Sequence, residues 1–449
     1  MQYSPVRRTA LVLCGTGAHG AYHAGVLRAL HEAGVKVDVM AGRGVGAAGA
    51  MLVAAHGGPR LWEPGGLWQA PLPRDFYRWT GRVRALAVLA ATTFIFVIAS
   101  LAALAGEASP FPPARLAAGA LAGLVVTLAL AMVLAVSRRW PSRRRSIGGW
   151  WWGAVGAPLD AASARRAFTN AVWRLIRGAS QDSGPPPAAT GRRYAEVLAE
   201  GLGQPGCREL MMVATDLDAR SDVVAALLAE PYRHEFIAPR PGRERRAEVL
   251  DLAGAGRDHA VEVMAGALTP PVVCEAWSVT FAADGYWRGE THRLCDRPGS
   301  VVRLLEELSG AGVSQVVIVS AVAVTAAPHR LRAVRRGPRG RLGEFVVAAE
   351  AAALHDALAL AHVRFDACYV IAPSHNPIGP FDLGGAYDET SDRRYSTAEL
   401  MEGGYEDAYH QFIEPVVGAS GEQLPQLRGR DTTPAGHRHE QGLFDDADP

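Results

Sequence analysis

Short runs of nearly continuous apolar residues recur along the chain, and amphipathic stretches separate them. The runs cover residues 9–14, 36–41, 209–215, 315–320 and 365–372. Such hydrophobicity is typical of strands in a sheet that is covered on both faces. The intervening patterns predict helices at 20–33, 45–56, 192–202, 300–311 and 341–361. Together they predict an α/β fold with a mainly parallel sheet.

Two longer apolar runs, residues 85–106 and 116–137, interrupt this alternation without a single charged residue. Each run is about as long as a helix that crosses a bilayer. A Pro-rich turn of residues 107–115 joins them. The alternative is a pair of buried helices in a soluble core, but core helices rarely lack charge over this length. We therefore predict a transmembrane hairpin.

Basic residues lie on the outer flanks of the hairpin. The connecting turn has only Arg115, whereas the flanks carry Arg74, Arg78, Arg82, Arg84, Arg138, Arg139, Arg143, Arg144 and Arg145. The positive-inside rule then places both flanks in the cytoplasm, with Tyr77, Trp79, Trp140 and Trp150–Trp152 as interfacial anchors. We expect no signal peptide in residues 1–9 and a multi-pass protein of the inner membrane whose α/β domain faces the cytoplasm.

The same patterns divide the chain into four parts. Residues 1–75 form the first part of the α/β domain, 76–145 the hairpin insertion, 146–417 the rest of the α/β domain, and 418–449 a polar tail that is predicted to be disordered. Within the third part, residues 178–191 are predicted to be a linker because of the run Gly184–Pro187.

Charge and cysteine content exclude several classes of protein. The 449 residues have a formal net charge of +1, which argues against a nucleic-acid partner. The five cysteines are far apart and form no metal-binding pair, so a reduced, cytosol-facing protein fits best. His19 and His23 lie four residues apart, yet no carboxylate accompanies them in the pattern. We expect no metal and no cofactor.

Two glycine-rich turns each join a predicted strand to a predicted helix. The first, Gly15–Gly20, forms an anion-binding nest from backbone N–H groups. A dinucleotide-binding turn has the same spacing, with Glu32 or Asp38 as its acid. The second turn, Gly42–Gly46, has the form of a nucleophile elbow, but its centre is Gly44 where an acyl hydrolase carries serine. The second turn makes a nucleotide site the weaker interpretation.

These two turns carry a resemblance to a known family. Residues Leu11–Gly34 followed by Ala41–Ala47 resemble the strand, oxyanion loop, helix and elbow of patatin-like phospholipases, and Ala214–Asp218 and Met264–Pro271 are similar to later family segments. The resemblance implies a patatin-type three-layer sandwich. Some bacterial members carry an inserted hairpin. The resemblance also implies a lipid acyl hydrolase with a Ser–Asp dyad.

Residue by residue, the resemblance implies an oxyanion loop at Gly15, Thr16 and Gly17, elbow glycines at Gly42 and Gly46, and a catalytic aspartate at Asp296. This chain departs from the family pattern in having Thr16 for a glycine, His19 for a basic residue, Arg297-Pro298 for the glycines after the aspartate and, above all, Gly44 for serine.

No acyl-enzyme can form without a side-chain oxygen at position 44. We therefore expect a membrane-anchored protein of lipid metabolism that lacks ordinary serine hydrolysis and has a lipid-binding or regulatory role. The alternative is an active phospholipase or esterase. Such an enzyme either uses water activated by Asp296, or natively has a serine at position 44 that has been replaced by glycine in this sequence. Cys14 and Thr16 are poor substitutes as nucleophiles. Residues 374–392 either cap the site or form a surface loop, and their turn-rich composition favours the surface loop.

Overall fold

The computed structural model describes residues 3–69, 71–105, 119, 121–127, 129, 156–178, 186–238, 245–283, 287–323, 337–388 and 391–418. Its strands are β1 (Thr9–Gly15), β2 (Val39–Gly44), β3 (Arg78–Trp79), β4 (Leu159–Asp160), β5 (Glu209–Asp216), β6 (Ser221–Leu227), β7 (Ala247–Asp251), β8 (Trp277–Thr280), β9 (Thr291–Cys295), β10 (Gln315–Ser320), β11 (Ala367–Ile371), β12 (Ala386–Asp388) and β13 (Arg393–Tyr395).

The α-helices in the same part of the chain are α1 (His19–Glu32), α2 (Val45–Ala54), α3 (Pro59–Trp62), α4 (Gly81–Ala105), α5 (Ala162–Ile176), α6 (Pro187–Gly201), α7 (Tyr232–Ile237), α8 (Ala260–Ala267), α9 (Val301–Gly310), α10 (Pro338–Arg364) and α11 (Thr397–Ala408). The π-helical segment Tyr409–Val417 continues directly from α11.

The main sheet has the strand order β11-β10-β1-β2-β5-β6-β7. Strands β11, β10, β1, β2 and β5 are mutually parallel, β6 is antiparallel to β5, and β7 is parallel to β6. Strand β9 pairs antiparallel with the last residues of β5, and β8 pairs with β9. The carboxyl ends of β1 and β2 therefore share one edge of the sheet.

Alternating residues of β1 and β2 enter two separate hydrophobic clusters. Leu11, Leu13 and Met40 pack in the cluster that contains α1, α2 and α8, whereas Val12 and Ala41 pack in the cluster that contains α9 and α10. Successive side chains of a strand point to opposite faces, so the sheet is covered by helices on both sides. The chain has an α/β fold with three layers and a mainly parallel sheet, as the sequence predicted.

Most of the predicted elements are confirmed, with shifted ends. Strand β2 begins three residues after the predicted start at Lys36, and α6 begins at Pro187, inside the predicted linker. Proline is favoured in the first turn of a helix, where its missing N–H costs nothing. The linker prediction is therefore wrong from Pro187 onwards, and residues 179–185 lie outside the described residues.

The first predicted span corresponds to α4, which is 25 residues long. Its window Gly81–Ala99 has a mean hydropathy of 1.9 and is not buried at all. Thr93 Oγ1 lies 2.6 Å from Thr127 Oγ1, and Phe96 lies beside Gly119 and Gly123, so α4 packs against the start of the second predicted span. Most of residues 116–137 and of the tail 418–449 lie outside the described residues.

Helix α10 also has the length and composition of a span, although a third of its apolar window is buried. Ala353, Leu354, Ala357 and Ala361 pack into the core beneath the sheet. Length and hydropathy alone therefore do not separate a membrane helix from a long helix of the α/β domain.

Candidate functional site

The two glycine-rich turns meet at the carboxyl edge of the sheet. Gly15 ends β1 and Gly44 ends β2, and the two residues are paired in register. Helix α1 begins four residues after Gly15, whereas α2 begins immediately after Gly44. The structure thus brings together the predicted oxyanion loop and the predicted elbow.

Gly44 has a backbone conformation that only glycine adopts readily. Its φ is 58° and its ψ is −134°, and it is the N-cap of α2. A Cβ at this position would overlap the carbonyl oxygen of Gly15 and would lie 2.9 Å from Asp296 Oδ2. The strand-to-helix turn is therefore as sharp as an elbow requires, but it has no room for a side chain.

Asp296 reaches this edge because β9 lies beside the end of β5, where β2 has already turned away. Cys295 pairs with Thr215, and the next residue, Asp296, donates its backbone N–H to the Thr269 carbonyl at 2.9 Å. Thr16 Oγ1 lies 3.1 Å from Asp296 Oδ2. The predicted aspartate, the oxyanion loop and Gly44 are therefore neighbours in the structure.

Arg43 is the residue that most changes the chemistry of the site. It follows the alternation of Val39 and Ala41 towards α10, and its side chain is 2% exposed. Arg43 Nη1 donates to Asp296 Oδ2 at 2.7 Å, and Nη2 donates to Glu350 Oε1. A buried guanidinium thus binds the carboxylate that a hydrolase would use as its base.

Glu350, on α10, is the site residue that the sequence analysis missed. Its side chain accepts a hydrogen bond from Thr16 Oγ1 at 2.7 Å as well as the bond from Arg43. His19 Nδ1 lies 3.0 Å from Glu350 Oε2, within ion-pair distance. A single acid within the apolar stretch 346–354 was the signal that could have identified it.

The buried charges hold one another in place. Burial alone raises the pKa of Glu350, but the Arg43 guanidinium and His19 outweigh it and lower that pKa to about 2. Burial also raises the pKa of Asp296, and Arg43 offsets only part of this effect. Burial opposes the charge on Arg43, yet the carboxylates of Asp296 and Glu350 raise its pKa above the usual value. Arg43 and Glu350 therefore form a buried ion pair beside Gly44.

The loop after β11 covers the first glycine-rich turn. The Pro380 carbonyl accepts a hydrogen bond from the Ala18 N–H at 2.8 Å, and a Cβ at Gly17 would overlap that carbonyl oxygen. Ile378, Phe381 and Leu383 are buried in the main core. The surface-loop interpretation of residues 374–392 is wrong for residues 378–383, because this segment carries apolar side chains that pack inward.

The other candidates have structural partners. A Cβ at Gly42 or Gly46 would overlap neighbouring backbone, which fits tight elbow packing. Arg297 turns away from the site and donates to Asp222 Oδ2 at 2.5 Å, so it does not bind Asp296. Asp38 accepts from the Thr9 N–H at 2.9 Å and is placed at the amino end of β2.

The buried groups beneath the first turn are also unsuited to catalysis. His23 Nε2 contacts the Cys14 carbonyl at 3.1 Å, and burial, followed by the nearby His19, lowers the pKa of His23 to about 3. Burial raises the pKa of the Cys14 thiol to about 12. Within the described ranges, no group of three or more His, Cys, Asp or Glu side chains is arranged to hold a metal ion.

Two comparisons with known proteins found similarities. Residues 11–154 match the family model described as patatin-like phospholipase. This match supports a lipid-related function. Among solved structures, VipD from Legionella pneumophila aligns with 13% sequence identity and a TM-score of 0.30, and the alignment covers 90% of this chain and 66% of that one. The search of curated proteins found no match.

Proposed function

We propose that this chain, with its patatin-like fold, is a membrane-anchored protein of lipid metabolism that does not perform ordinary serine acyl hydrolysis and acts instead in lipid binding or regulation. The observation that carries the proposal is the buried contact of Arg43 with both Asp296 and Glu350 beside a side-chain-free Gly44. The nucleophile is missing, and the expected base is engaged by a cation.

Three features of the same site support inactivity together. Position 44 has no side-chain oxygen and no space for a Cβ. The Pro380 carbonyl lies against Gly17 and accepts from the Ala18 N–H, in the turn that would hold an oxyanion. An oxyanion site works by aiming free donors at developing negative charge, and here a carbonyl oxygen uses one of them.

The alternative of water-mediated hydrolysis has less support. A general base must be within hydrogen-bond reach of the attacking water. Asp296 is 1% exposed, and its Oδ2 already accepts from Arg43 and lies 3.1 Å from Thr16 Oγ1. Its Oδ1 has no hydrogen-bond partner in the part of the chain that the structure describes, but it is fully buried. Water would need a local opening of the fold to reach it.

Membrane anchoring is supported by α4. Val88, Phe94, Ile95 and Ile98 are more than half exposed along this helix, and such an apolar surface is costly in water. Just before the helix, Tyr77 is buried in the core and donates to the Leu268 carbonyl at 2.8 Å, so it ties this segment to the α/β domain and is not the interfacial anchor that the sequence predicted.

A direct assay tests the proposed loss of hydrolysis. The full chain, purified in detergent, is given mixed phospholipid vesicles and a short-chain ester, and fatty-acid release is measured beside a serine-bearing patatin-like enzyme. We expect release no faster than in the protein-free control. Release comparable with the serine enzyme would contradict the proposal. The Asp296→Asn variant separates the alternatives, since water-mediated hydrolysis predicts that this variant loses activity that the native chain has.

Alkaline carbonate extraction of membranes tests the anchoring separately. We expect the native chain to remain in the pellet, as a protein held by a hydrophobic hairpin does. The double variant Ile95→Glu, Ile98→Glu places charges on the exposed face of α4 and is expected to shift the chain into the soluble fraction. Extraction of the native chain into the supernatant would exclude a spanning hairpin.

A further inference from the structure

A second concave site lies at the opposite edge of the sheet from the glycine turns. It is a cavity of about 190 Å³ between the end of α1, the end of α2, α3 and the amino ends of β2 and β5. Its wall is mostly aliphatic, formed by Leu27, Leu30, Val35, Val37, Met40 and Val53. An apolar cavity of about 150 Å³ is large enough to bind benzene, so this one has room for a short alkyl chain or the end of a longer one.

The polar lining of this cavity is cationic or aromatic. Arg208, immediately before β5, lines it together with His31, His56 and Trp62. The rings of His31 and Trp62 are 6.0 Å apart, and both histidines are exposed, so the polar groups lie where the cavity meets solvent. Among the residues that the structure describes, no acidic side chain is part of the lining.

The guanidinium of Arg208 has no carboxylate within ion-pair distance in the described part of the chain. The nearby Asp38 instead lies 3.3 Å from Lys36 Nζ and accepts from the Thr9 N–H. Glu209, the residue after Arg208, forms an ion pair with Arg8. Burial lowers the pKa of Arg208, but an arginine remains charged at neutral pH. Among the described residues, a partly buried cation with no carboxylate in direct contact thus borders an apolar cavity.

We propose that this cavity binds the alkyl chain of a single-chain amphiphilic anion, with the carboxylate or phosphate headgroup on Arg208. A guanidinium binds either headgroup through paired hydrogen bonds, and the aliphatic wall accepts the chain. The site is separate from Gly44 and Asp296. Its occupancy therefore does not depend on whether the glycine-turn site hydrolyses lipid.

Binding of labelled octanoate to the full chain in phospholipid nanodiscs tests this proposal, with empty nanodiscs as background. Octyl phosphate and octanol serve as competitors, because the first shares the charge and the second has only the chain. We expect saturable octanoate binding and stronger competition by octyl phosphate than by octanol. Whichever of octanoate and octyl phosphate binds more tightly identifies the preferred headgroup.

Two variants locate the site. Arg208→Gln is expected to weaken octanoate binding roughly tenfold or more and to leave octanol competition unchanged, since only the charged contact is lost. Val53→Phe is expected to abolish binding of all three ligands by filling the cavity. The matched controls Arg293→Gln and Val363→Phe change exposed residues of the same types and should bind normally.

The proposal is overturned if the native chain shows no saturable octanoate binding above empty nanodiscs. It is also overturned if Arg208→Gln binds octanoate as the native chain does. Thermal unfolding of each variant in nanodiscs shows whether Val53→Phe has lost the fold, and in that case Arg208→Gln alone decides the outcome.

Discussion

At the carboxyl edge of the sheet, the Arg43 guanidinium lies between the carboxylates of Asp296 and Glu350, whereas at the amino edge Arg208 borders an apolar cavity without an acidic partner among the described residues. Both arginines are removed from bulk water to different degrees. Arg43 binds two carboxylates within the fold, whereas Arg208 makes no ion pair with any described residue and can offer its guanidinium to an external anion.

This difference bears on where the protein can receive a ligand. A buried cation that is already paired gains little from a new anion, because the anion must first displace an internal carboxylate. The Pro380 carbonyl further covers the glycine turn at the carboxyl edge. The edge that carries Gly44 is thus a packed, ionic part of the core, while the amino edge has a cavity bordered by Arg208.

The largest expected effect comes from breaking the ionic group at the carboxyl edge. Arg43→Met leaves Asp296 and Glu350 buried without their cation, so we expect the free energy of unfolding to fall by about 3–5 kcal/mol. Denaturant unfolding of the full chain in detergent measures this loss.

The control for Arg43→Met is an exposed ion pair. Arg293 contacts Asp218 at 2.8 Å with half of its side chain exposed, so Arg293→Met should cost less than about 1 kcal/mol. The triple variant Arg43→Met, Asp296→Asn, Glu350→Gln removes all three charges and should recover much of the loss. Equal costs for Arg43→Met and Arg293→Met would show that the buried group contributes no special stability.

Replacement of Gly44 tests the backbone geometry of the same edge. Gly44→Ala places a Cβ against the Gly15 carbonyl at a φ of 58°, so we expect a loss of about 2–4 kcal/mol from strain and overlap together. Gly34→Ala is a matched control, because Gly34 has a φ of 65° but nothing within 4 Å of its added Cβ. It should cost about 1 kcal/mol. Similar losses in both variants would mean that the Gly15 contact is unimportant.

Much of this site follows from sequence, because local rules govern it. Glycines between a strand and a helix predicted the turn at Gly44, and the observed pairing of Gly15 with Gly44 is what the predicted parallel sheet allows. Asp296 was found only through resemblance to a family, since its place depends on β9 lying beside β5. Pairing between distant strands of this kind has no local signature in one sequence.

The role of Arg43 was harder to predict because it depends on a helix about 300 residues away. Strand alternation places its side chain on the α10 face, but only the packed fold shows that Glu350 meets it there. The burial of residues 378–383 was missed for the opposite reason. Their turn-forming residues favoured a surface loop, while the apolar Ile378, Phe381 and Leu383 determined the outcome.

Acidification is expected to destabilise the carboxyl edge through His23. Its pKa is about 3 in the fold and 6.5 as the ordinary value, so below pH 6.5 the unfolded chain binds a proton that the folded chain does not. Stability present above pH 6.5 is therefore lost as the pH falls, by up to about 1.4 kcal/mol per pH unit. Glu350, whose pKa is lowered from 4.5 to about 2, also reduces the free energy of unfolding on acidification, but only below about pH 4.5. The window from pH 6.5 to 4.5 therefore isolates His23 from Glu350.

The pH effect is measured by unfolding the native chain and His23→Gln across that window. The variant should show a shallower decline, because glutamine donates to the Cys14 carbonyl without titrating. Asp296, with its raised pKa, changes stability in the opposite direction, but it does so in both proteins. His31→Gln changes an exposed histidine of the same helix and should keep the native slope. An unchanged slope in His23→Gln would assign the pH dependence to other groups.

The smallest expected effect on stability is at the amino edge, where it sharpens the contrast between the two arginines. Arg208→Gln removes a charge that has no carboxylate within ion-pair distance in the described residues, so the free energy of unfolding should change by less than about 0.5 kcal/mol. Denaturant unfolding without added ligand measures this value beside that of Arg43→Met. With octanoate present, the native chain should gain stability by mass action and Arg208→Gln should not. A large loss without ligand would mean that Arg208, like Arg43, is held by contacts within the fold, and its charge would not be available to an external anion.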